Sequence, residues 1–108
     1  MLILLDQGTP APIRAFLKGH MVRTAAQQGW DTLKNGELLS AAECAGFNIL
    51  LTADKNLGYQ QNLCARQIAI IVIGNAQWPV LRAHVGRVVA AVNAAAVGGY
   101  YEVEIPAG

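Results

Sequence analysis

The sequence predicts a three-layer α/β/α sandwich around a mostly parallel central sheet. Apolar runs such as LILL (residues 2–5) and IAIIVI (residues 68–73) are continuous rather than alternating, which is typical of strands covered on both faces. Segments with helical spacing of apolar residues alternate with these runs, and that alternation favours parallel strands joined by crossover helices. The 108 residues suit a single domain spanning residues 1–108.

The chain begins with a predicted strand over residues 2–5. Thr9 then suits the N-cap of a helix whose first turn contains Pro10, and Gly19 is expected to end that helix. Residues 21–25 (MVRTA) predict a second, short strand. An arginine inside this strand indicates a position near the edge of the sheet.

The middle of the chain predicts one helix and one strand. A polar loop over residues 26–35 leads into a helix that begins near Asn35 and Gly36 and ends at Gly46. Residues 48–52 (NILLT) predict the next buried strand.

The remainder of the chain predicts two more strands separated by a long helix. Residues 53–66 are polar and irregular, with a short helix predicted around Tyr59–Leu63. Residues 68–73 are rich in β-branched side chains and are the most strand-like stretch. A helix is predicted over about 78–96, and the alternating residues 100–105 predict a final edge strand.

The composition limits the partners that the protein can have. Apolar residues make up 54% of the chain, charged residues 14%, and the net charge is only +1. A nucleic-acid partner would therefore have to be held by a local patch or by metal bridging, because bulk charge is too small. The N-terminal apolar run is too short for a secretion signal, and no run approaches the roughly 18 residues of a membrane span. We therefore expect a cytoplasmic protein without a membrane partner.

The two cysteines show no pattern of a metal or disulfide site. Cys44 and Cys64 lack the CxxC spacing and have no histidine nearby in a zinc-binding pattern. Free, reduced thiols are expected for a chain in a reducing compartment. Because Cys44 lies among Ala41, Ala45 and Phe47, we expect it to be buried.

Two aspartates follow predicted buried strands. Asp6 comes directly after the first strand, and Asp54 comes two residues after the strand that ends at Thr52. Because the carboxyl ends of parallel strands share one edge of a sheet, both acids are expected at that edge. Each acid alone could also be a helix cap or a turn residue.

Clustered carboxylates repel each other unless a cation lies between them, and hard oxygen ligands suit Mg²⁺ or Mn²⁺. On this reasoning, Asp6→Asn should leave the fold intact or stabilise it, because the substitution relieves repulsion. Glu37 lies in the first turn of its predicted helix, where it is either a third acid of the site or a partner of the helix dipole.

Three neighbours of Asp54 are candidate binding residues. Lys55 is placed either to contact a phosphate or to be a solvated loop charge. Thr52 is placed to hold Asp54 or a metal-bound water, and Asn56 offers an amide oxygen without a charge.

Three segments resemble the small PIN-like domains, a group that includes predicted toxin nucleases of the toxin–antitoxin type. They are LILLDQGTP, NGELLSAAECAGFNILLTADKNL and IAIIVIG, and the similarity extends over roughly residues 1–105. The resemblance implies a fold similar to that of the flap nucleases and a site that binds Mg²⁺ or Mn²⁺. It further implies cleavage of single-stranded RNA and a cognate antitoxin as partner. The oligomeric state is left open between a monomer and a homodimer.

The resemblance assigns roles to particular residues. Asp6, Glu37 and Asp54 match the first, central and third metal-binding catalytic acids of PIN domains. Asn56 stands where full PIN domains often have a fourth acid, so the set of acids is reduced here.

Two other functions remain open on the sequence. The first is a PIN-like binding module that has lost catalysis, for which the reduced set of acids is the motive. The second is a receiver-type signalling domain, which also has an aspartate at a strand end. That fold needs an acidic pair after its first strand, whereas here Asp6 follows the first strand alone.

Overall fold

The protein folds around a five-stranded parallel sheet, which confirms the predicted α/β class. The computed structural model describes residues 1–33, 35–54 and 67–106, apart from the side chain of Asn35. The strands are β1 (Leu2–Leu5), β2 (Met21–Thr24), β3 (Ile49–Thr52), β4 (Ala69–Ile73) and β5 (Tyr100–Val103). A 3₁₀ helix spans Ala11–Phe16, and the α-helices are α1 (Asn35–Cys44), α2 (Trp78–Arg82) and α3 (Val85–Ala94).

The strand order in space is β2-β1-β3-β4-β5, and all four pairings are parallel. The chain therefore leaves β1 towards one edge of the sheet to form β2, and then returns across β1 to form β3. The direction of winding reverses between β1 and β3. In open α/β sheets, this reversal leaves a crevice at the carboxyl ends of the two strands, and ligands bind there.

Alternate residues of the central strands enter two separate cores. In β1, Ile3 and Leu5 join the core beneath the 3₁₀ helix, α2 and α3, whereas Leu4 joins the core beneath α1. β3 alternates in the same way, with Leu50 on the α1 side. Because both faces are covered, the strands can be apolar at every position, which explains the continuous apolar runs of the sequence.

The first helix differs from its prediction at both ends. The structure has a short 3₁₀ helix that begins after Pro10 and ends at Phe16, well before Gly19. Thr9 does not cap it, because the Thr9 side chain is buried and its hydroxyl bonds to Asp6 and to the Leu51 carbonyl instead. The tertiary hydrogen bond to the Leu51 carbonyl has replaced the N-cap hydrogen bond that the sequence predicts for Thr9.

The helix predicted over 78–96 is divided into α2 and α3. His84 has φ −124° and ψ 19°, outside the helical region, and becomes the N-cap of α3. His84, Val85 and Gly86 are successive residues of middling or poor helix propensity, so the break occurs where the helix is weakest. The last strand is the predicted edge strand but ends at Val103, and the helix expected at Tyr59–Leu63 lies outside the described residues.

None of the helices in the described ranges is long and apolar enough to cross a bilayer.

Helix α1 ends in a Schellman motif. The N–H of Phe47 bonds to the Ala42 carbonyl at 2.9 Å, and the N–H of Gly46 bonds to the Glu43 carbonyl at 3.1 Å. Gly46 has φ +88°, a conformation that costs other residues free energy. Phe47 and Ala42 are both buried in the α1 core, so the motif turns the chain directly into β3.

We expect Gly46→Ala to lower the free energy of unfolding by about 1 kcal/mol, because alanine is strained at positive φ. No atom lies within 4 Å of the added Cβ, so the cost is conformational rather than steric. Gly86→Ala in α3 is the matched control: it also meets no atom within 4 Å and should stabilise by up to about 1 kcal/mol. Urea denaturation of both variants checks the prediction, and equal shifts of the two midpoints in one direction would contradict it.

Candidate active site

A cleft opens at the carboxyl ends of β1 and β3, at the point where the winding of the sheet reverses. Its volume is about 190 Å³. Three aspartates, Asp6, Asp31 and Asp54, line it together with the apolar side chains of Trp30 and Leu38. The remaining lining residues are Gln7, Gly8, Ala25, Leu33 and Thr52. An acidic cleft with partly apolar walls is therefore present where the topology favours ligand binding.

The carboxylate of Asp6 is held by three donors. Its Oδ1 accepts hydrogen bonds from the N–H of Gly8 at 3.1 Å and from the hydroxyl of Thr9 at 2.7 Å. Its Oδ2 accepts a hydrogen bond from the hydroxyl of Thr52. Gly8 and Thr9 follow Asp6 in the chain, so the turn after β1 wraps around its own aspartate.

Thr52 connects the two acids that follow the central strands. It is fully buried at the end of β3, and its hydroxyl donates to Asp6 while it accepts the backbone N–H of Asp54 at 3.0 Å. The backbone N–H of Asp6 also bonds to the carbonyl of Leu51 at 3.2 Å. One buried hydroxyl group therefore connects the Asp6 carboxylate with the backbone of Asp54.

The hydrogen bonds limit what Asp6 can still bind. An ionised carboxylate offers about four lone-pair sites, and three of those of Asp6 are used within the chain. No donor from the described part of the chain occupies the remaining site on Oδ2. Within that part, Asp6 is a rigid acceptor with room for a single further contact.

Gln7 attaches the loop after β2 to the site. Its Nε2 donates to the carbonyl of Asp31 at 2.6 Å, which holds Asp31 and Trp30 beside the end of β1. Trp30 packs edge-on against Phe47, with ring centroids 5.9 Å apart. One wall of the cleft is therefore an irregular loop that is fixed by a side chain and an aromatic contact.

Asp31 lines the cleft but was not predicted as a site residue from the sequence. The residue lies in a polar loop without regular structure, and no local pattern marks it. The signal that could have found it is topological, because the loop after β2 begins at the same edge of the sheet as Asp6. Any acid in that loop, which runs from the end of β2 to the start of α1, was a candidate once β2 was placed beside β1.

Glu37 is not among the residues that line the cleft, although its neighbour Leu38 is. The Glu37 side chain is exposed, and it precedes the buried Leu38 and Leu39 on α1. Its role as a third catalytic acid stays a prediction. Lys55 and Asn56, the other two predicted binding residues, lie outside the described part of the chain.

The oxygen donors of the cleft suit Mg²⁺ or Mn²⁺ in type but do not form a ready-made site for either ion. The three aspartates supply hard oxygen atoms, which these ions prefer. Within residues 1–33, 35–54 and 67–106, however, no three His, Cys, Asp or Glu side chains form a ready metal-binding group. The residues present suit an ion that keeps most of its water ligands, as Mg²⁺ commonly does, and contacts one or two carboxylates.

Cys44 is a free cysteine and is exposed rather than buried as predicted. Cys64, the other cysteine predicted to be free, lies outside the described residues. The buried residues of α1 are Leu38, Leu39 and Ala42. Cys44 follows Ala42 by two positions, which turns it about 200° around the helix, away from the core. Its apolar neighbours in sequence were therefore misleading, because the helical period decides which face a residue occupies.

Comparison with known proteins gives no relative for this chain: no protein-family model, no curated protein and no solved structure matches it. The resemblance to PIN-like domains accordingly enters the functional argument only as a proposal.

We expect Thr52→Val to destabilise the protein more than Thr52→Ser. Valine keeps the volume but removes the hydroxyl that binds Asp6 and Asp54, at a cost of about 1 to 3 kcal/mol. Serine keeps the hydroxyl and loses one buried methyl group, at a cost of about 1 kcal/mol. Chemical denaturation of both variants measures the difference, and a valine variant as stable as the serine variant would show that packing, not hydrogen bonding, matters at this position.

The hydrogen bonds of Asp6 also reverse the expected effect of Asp6→Asn on stability. Relief of repulsion had suggested a neutral or stabilising change. The asparagine amide, however, would place a donor against the donating hydroxyl of Thr52 and would weaken the other two bonds. We now expect a loss of about 1 to 2 kcal/mol in the free energy of unfolding, measured without divalent ions. An Asp6→Asn variant more stable than wild type would show that repulsion between the carboxylates outweighs the hydrogen bonds of Asp6.

Proposed function

We propose that the protein is a metal-dependent ribonuclease that cleaves single-stranded RNA. The observation that supports this proposal is the presence of Asp6, Asp31 and Asp54 around one cleft at the point where the winding of the sheet reverses. A cleft lined by acids does not suit an anionic substrate unless a cation accompanies it. A divalent ion resolves this conflict, because it binds carboxylates and phosphates together.

Asp6 and Asp54 would hold the ion, with Asp31 acting through water. The chemistry that Mg²⁺ or Mn²⁺ would supply there is that of a Lewis acid, which would polarise a phosphodiester and lower the pKa of a water molecule so that it could act as the nucleophile. The chain's own task is to position these oxygen atoms. Thr9, Gly8 and Thr52 fix the Asp6 carboxylate before any ligand arrives, so it needs little reorganisation when charge develops.

The apolar wall of the cleft assists this chemistry. Trp30 and Leu38 line the cleft together with the acids. Asp31 and Asp54 are exposed, so water screens their charges, and an ion bound there would keep water ligands. The two apolar residues would therefore shape the cleft without contacting the reacting bond.

The toxin–antitoxin setting of the proposal rests on the resemblance to PIN-like domains alone. That resemblance supports a toxin of a toxin–antitoxin pair and a cognate antitoxin as protein partner. The proposed cytoplasmic location rests instead on the short N-terminal apolar run of the sequence. The neighbouring reading frame tests this setting, because an antitoxin-like frame directly upstream is expected.

A second candidate function is a PIN-like binding module without catalysis. Two observations favour it: Asp6 has already used three of its acceptor sites, and no three-residue metal group is found in the described ranges. Such a module would bind its partner in the same cleft but would not need a divalent ion. The two functions therefore differ in their response to Mn²⁺.

We expect Mn²⁺ to raise the Tm of the wild-type protein, because an ion that binds only the folded state stabilises it. Asp6→Asn and Asp54→Asn should each show a much smaller rise and should lose cleavage of single-stranded RNA. Glu104→Gln is the matched control, since it removes one negative charge from an exposed residue that does not line the cleft. It should retain both the Mn²⁺ shift and cleavage.

The outcomes separate the two candidate functions. Undiminished cleavage by Asp6→Asn, or equal Mn²⁺ shifts in all four proteins, would contradict the proposed site. A wild-type protein that binds RNA equally well with and without Mn²⁺, and never cleaves it, would favour the binding module.

A further inference from the structure

A second groove lies beside the edge strand β2 and carries positive charge. Its volume is about 240 Å³, and it is lined by Arg14, Met21, Val22, Arg23 and Gln27. Arg14 comes from the 3₁₀ helix and Arg23 from β2, and both side chains are exposed. The fold thus brings together two arginines that are nine positions apart in the sequence and belong to different elements.

The charge of this groove stands out because the chain has so few charges. The protein has eight lysines and arginines in total, and two of them line this one cavity. No acidic side chain is among the described residues that line it. Guanidinium groups remain charged at any ordinary pH, so the groove favours an anion. Phosphate suits it best, since the planar guanidinium group can donate two parallel hydrogen bonds to phosphate oxygens.

A third cavity connects the acidic cleft with the elements that carry the two arginines. Its volume is about 540 Å³, and it shares Asp6, Gln7 and Ala25 with the cleft. Its other lining residues are Thr9, Ala11, Thr24 and Ala26. Arg23 directly precedes Thr24 on β2, and Ala11 begins the 3₁₀ helix that carries Arg14. The elements that carry the two arginines therefore also line a cavity that reaches Asp6.

The remaining groups of the groove suit a nucleotide. The backbone N–H of Thr24 bonds to Oε1 of Gln27, and the backbone N–H of Gln27 bonds to Oγ1 of Thr24, both at 3.0 Å. This reciprocal pair fixes the Gln27 side chain, and its Nε2 group, which meets no acceptor among the described residues, can donate to a ligand. Met21 is 63% exposed and offers a polarisable apolar contact for a base.

We infer that the groove of Arg14 and Arg23 binds the phosphate backbone of single-stranded nucleic acid on one side of the acidic cleft. One part of the inference rests on the proposed function: the bound nucleic acid runs from the arginines towards Asp6. An acidic cleft alone repels a polyanion, and the net charge of +1 is too small to attract one from a distance. The two arginines supply this attraction. An acidic peptide would satisfy the arginines but would gain nothing from a cation held at Asp6.

The test measures binding in EDTA, so that neither a divalent ion nor cleavage contributes. Fluorescence anisotropy gives the Kd of a labelled single-stranded RNA of about 16 nucleotides over a series of salt concentrations. Two double variants are compared with wild type. The groove variant combines Arg14→Ala with Arg23→Ala, and the control variant combines Arg82→Ala with Arg87→Ala. The control removes the same charge from two exposed residues that line neither the groove nor the cleft.

Wild type should bind with an affinity that falls as salt rises. The Arg14/Arg23 variant should bind about tenfold more weakly or worse at low salt, and its slope of log K against log salt should fall by about 1.4, or roughly 0.7 for each lost phosphate contact. The control variant should keep the wild-type slope. Replacing both groove arginines with lysine should preserve the slope, because the charge remains.

A groove variant that binds like wild type, or a control variant that loses as much affinity, would overturn the inference. So would a glutamate-rich peptide that binds through Arg14 and Arg23 while RNA does not, since the partner would then be an acidic protein. Failure of the nuclease proposal looks different. If wild type binds RNA through these arginines but never cleaves it with Mn²⁺, the groove assignment stands and the cleavage proposal falls.

Discussion

The hydrogen bond between the Thr52 hydroxyl and the Asp6 carboxylate is the interaction on which the candidate site depends. It joins the ends of β1 and β3, the two strands between which the winding of the sheet reverses. The same hydroxyl accepts the N–H of Asp54, so one buried group contacts both acids. Because both strands are packed on two faces, their ends have little freedom to move, and the site inherits the rigidity of the core.

Much of the sheet could be predicted from the sequence, because continuous apolar runs are a strong signal of strands buried on both faces. The same reasoning predicted that Asp6 and Asp54 would follow strands with a common edge, and both line one cleft. The errors came where tertiary contacts override local preference. Thr9 is an excellent N-cap by type, but its hydroxyl is used by Asp6 and Leu51, and Cys44 has apolar neighbours yet lies on the outer side of α1.

The two surfaces proposed for ligands differ in how far the sequence could reveal them. The acidic cleft is built mostly from residues at strand ends, whose common location follows from topology. The basic groove joins Arg14 and Arg23 across two elements, and nothing in their spacing predicts that they share a cavity. The low net charge required a local patch for any nucleic-acid partner, and the groove of Arg14 and Arg23 is such a patch.

The reciprocal bonds between Thr24 and Gln27 have a consequence for self-association. In the β1–β2 register, Met21 bonds to β1 through its backbone, and alternation turns the peptide groups of Val22 and Thr24 towards the open edge. The outward N–H of Thr24 is taken by the Gln27 side chain, and its carbonyl by the N–H of Gln28. An approaching strand finds these positions occupied, and the exposed Arg23 adds charge to the same edge. The hydrogen bonds between Thr24 and Gln27, which fix one side chain of the groove, therefore also limit sheet extension and aggregation along β2.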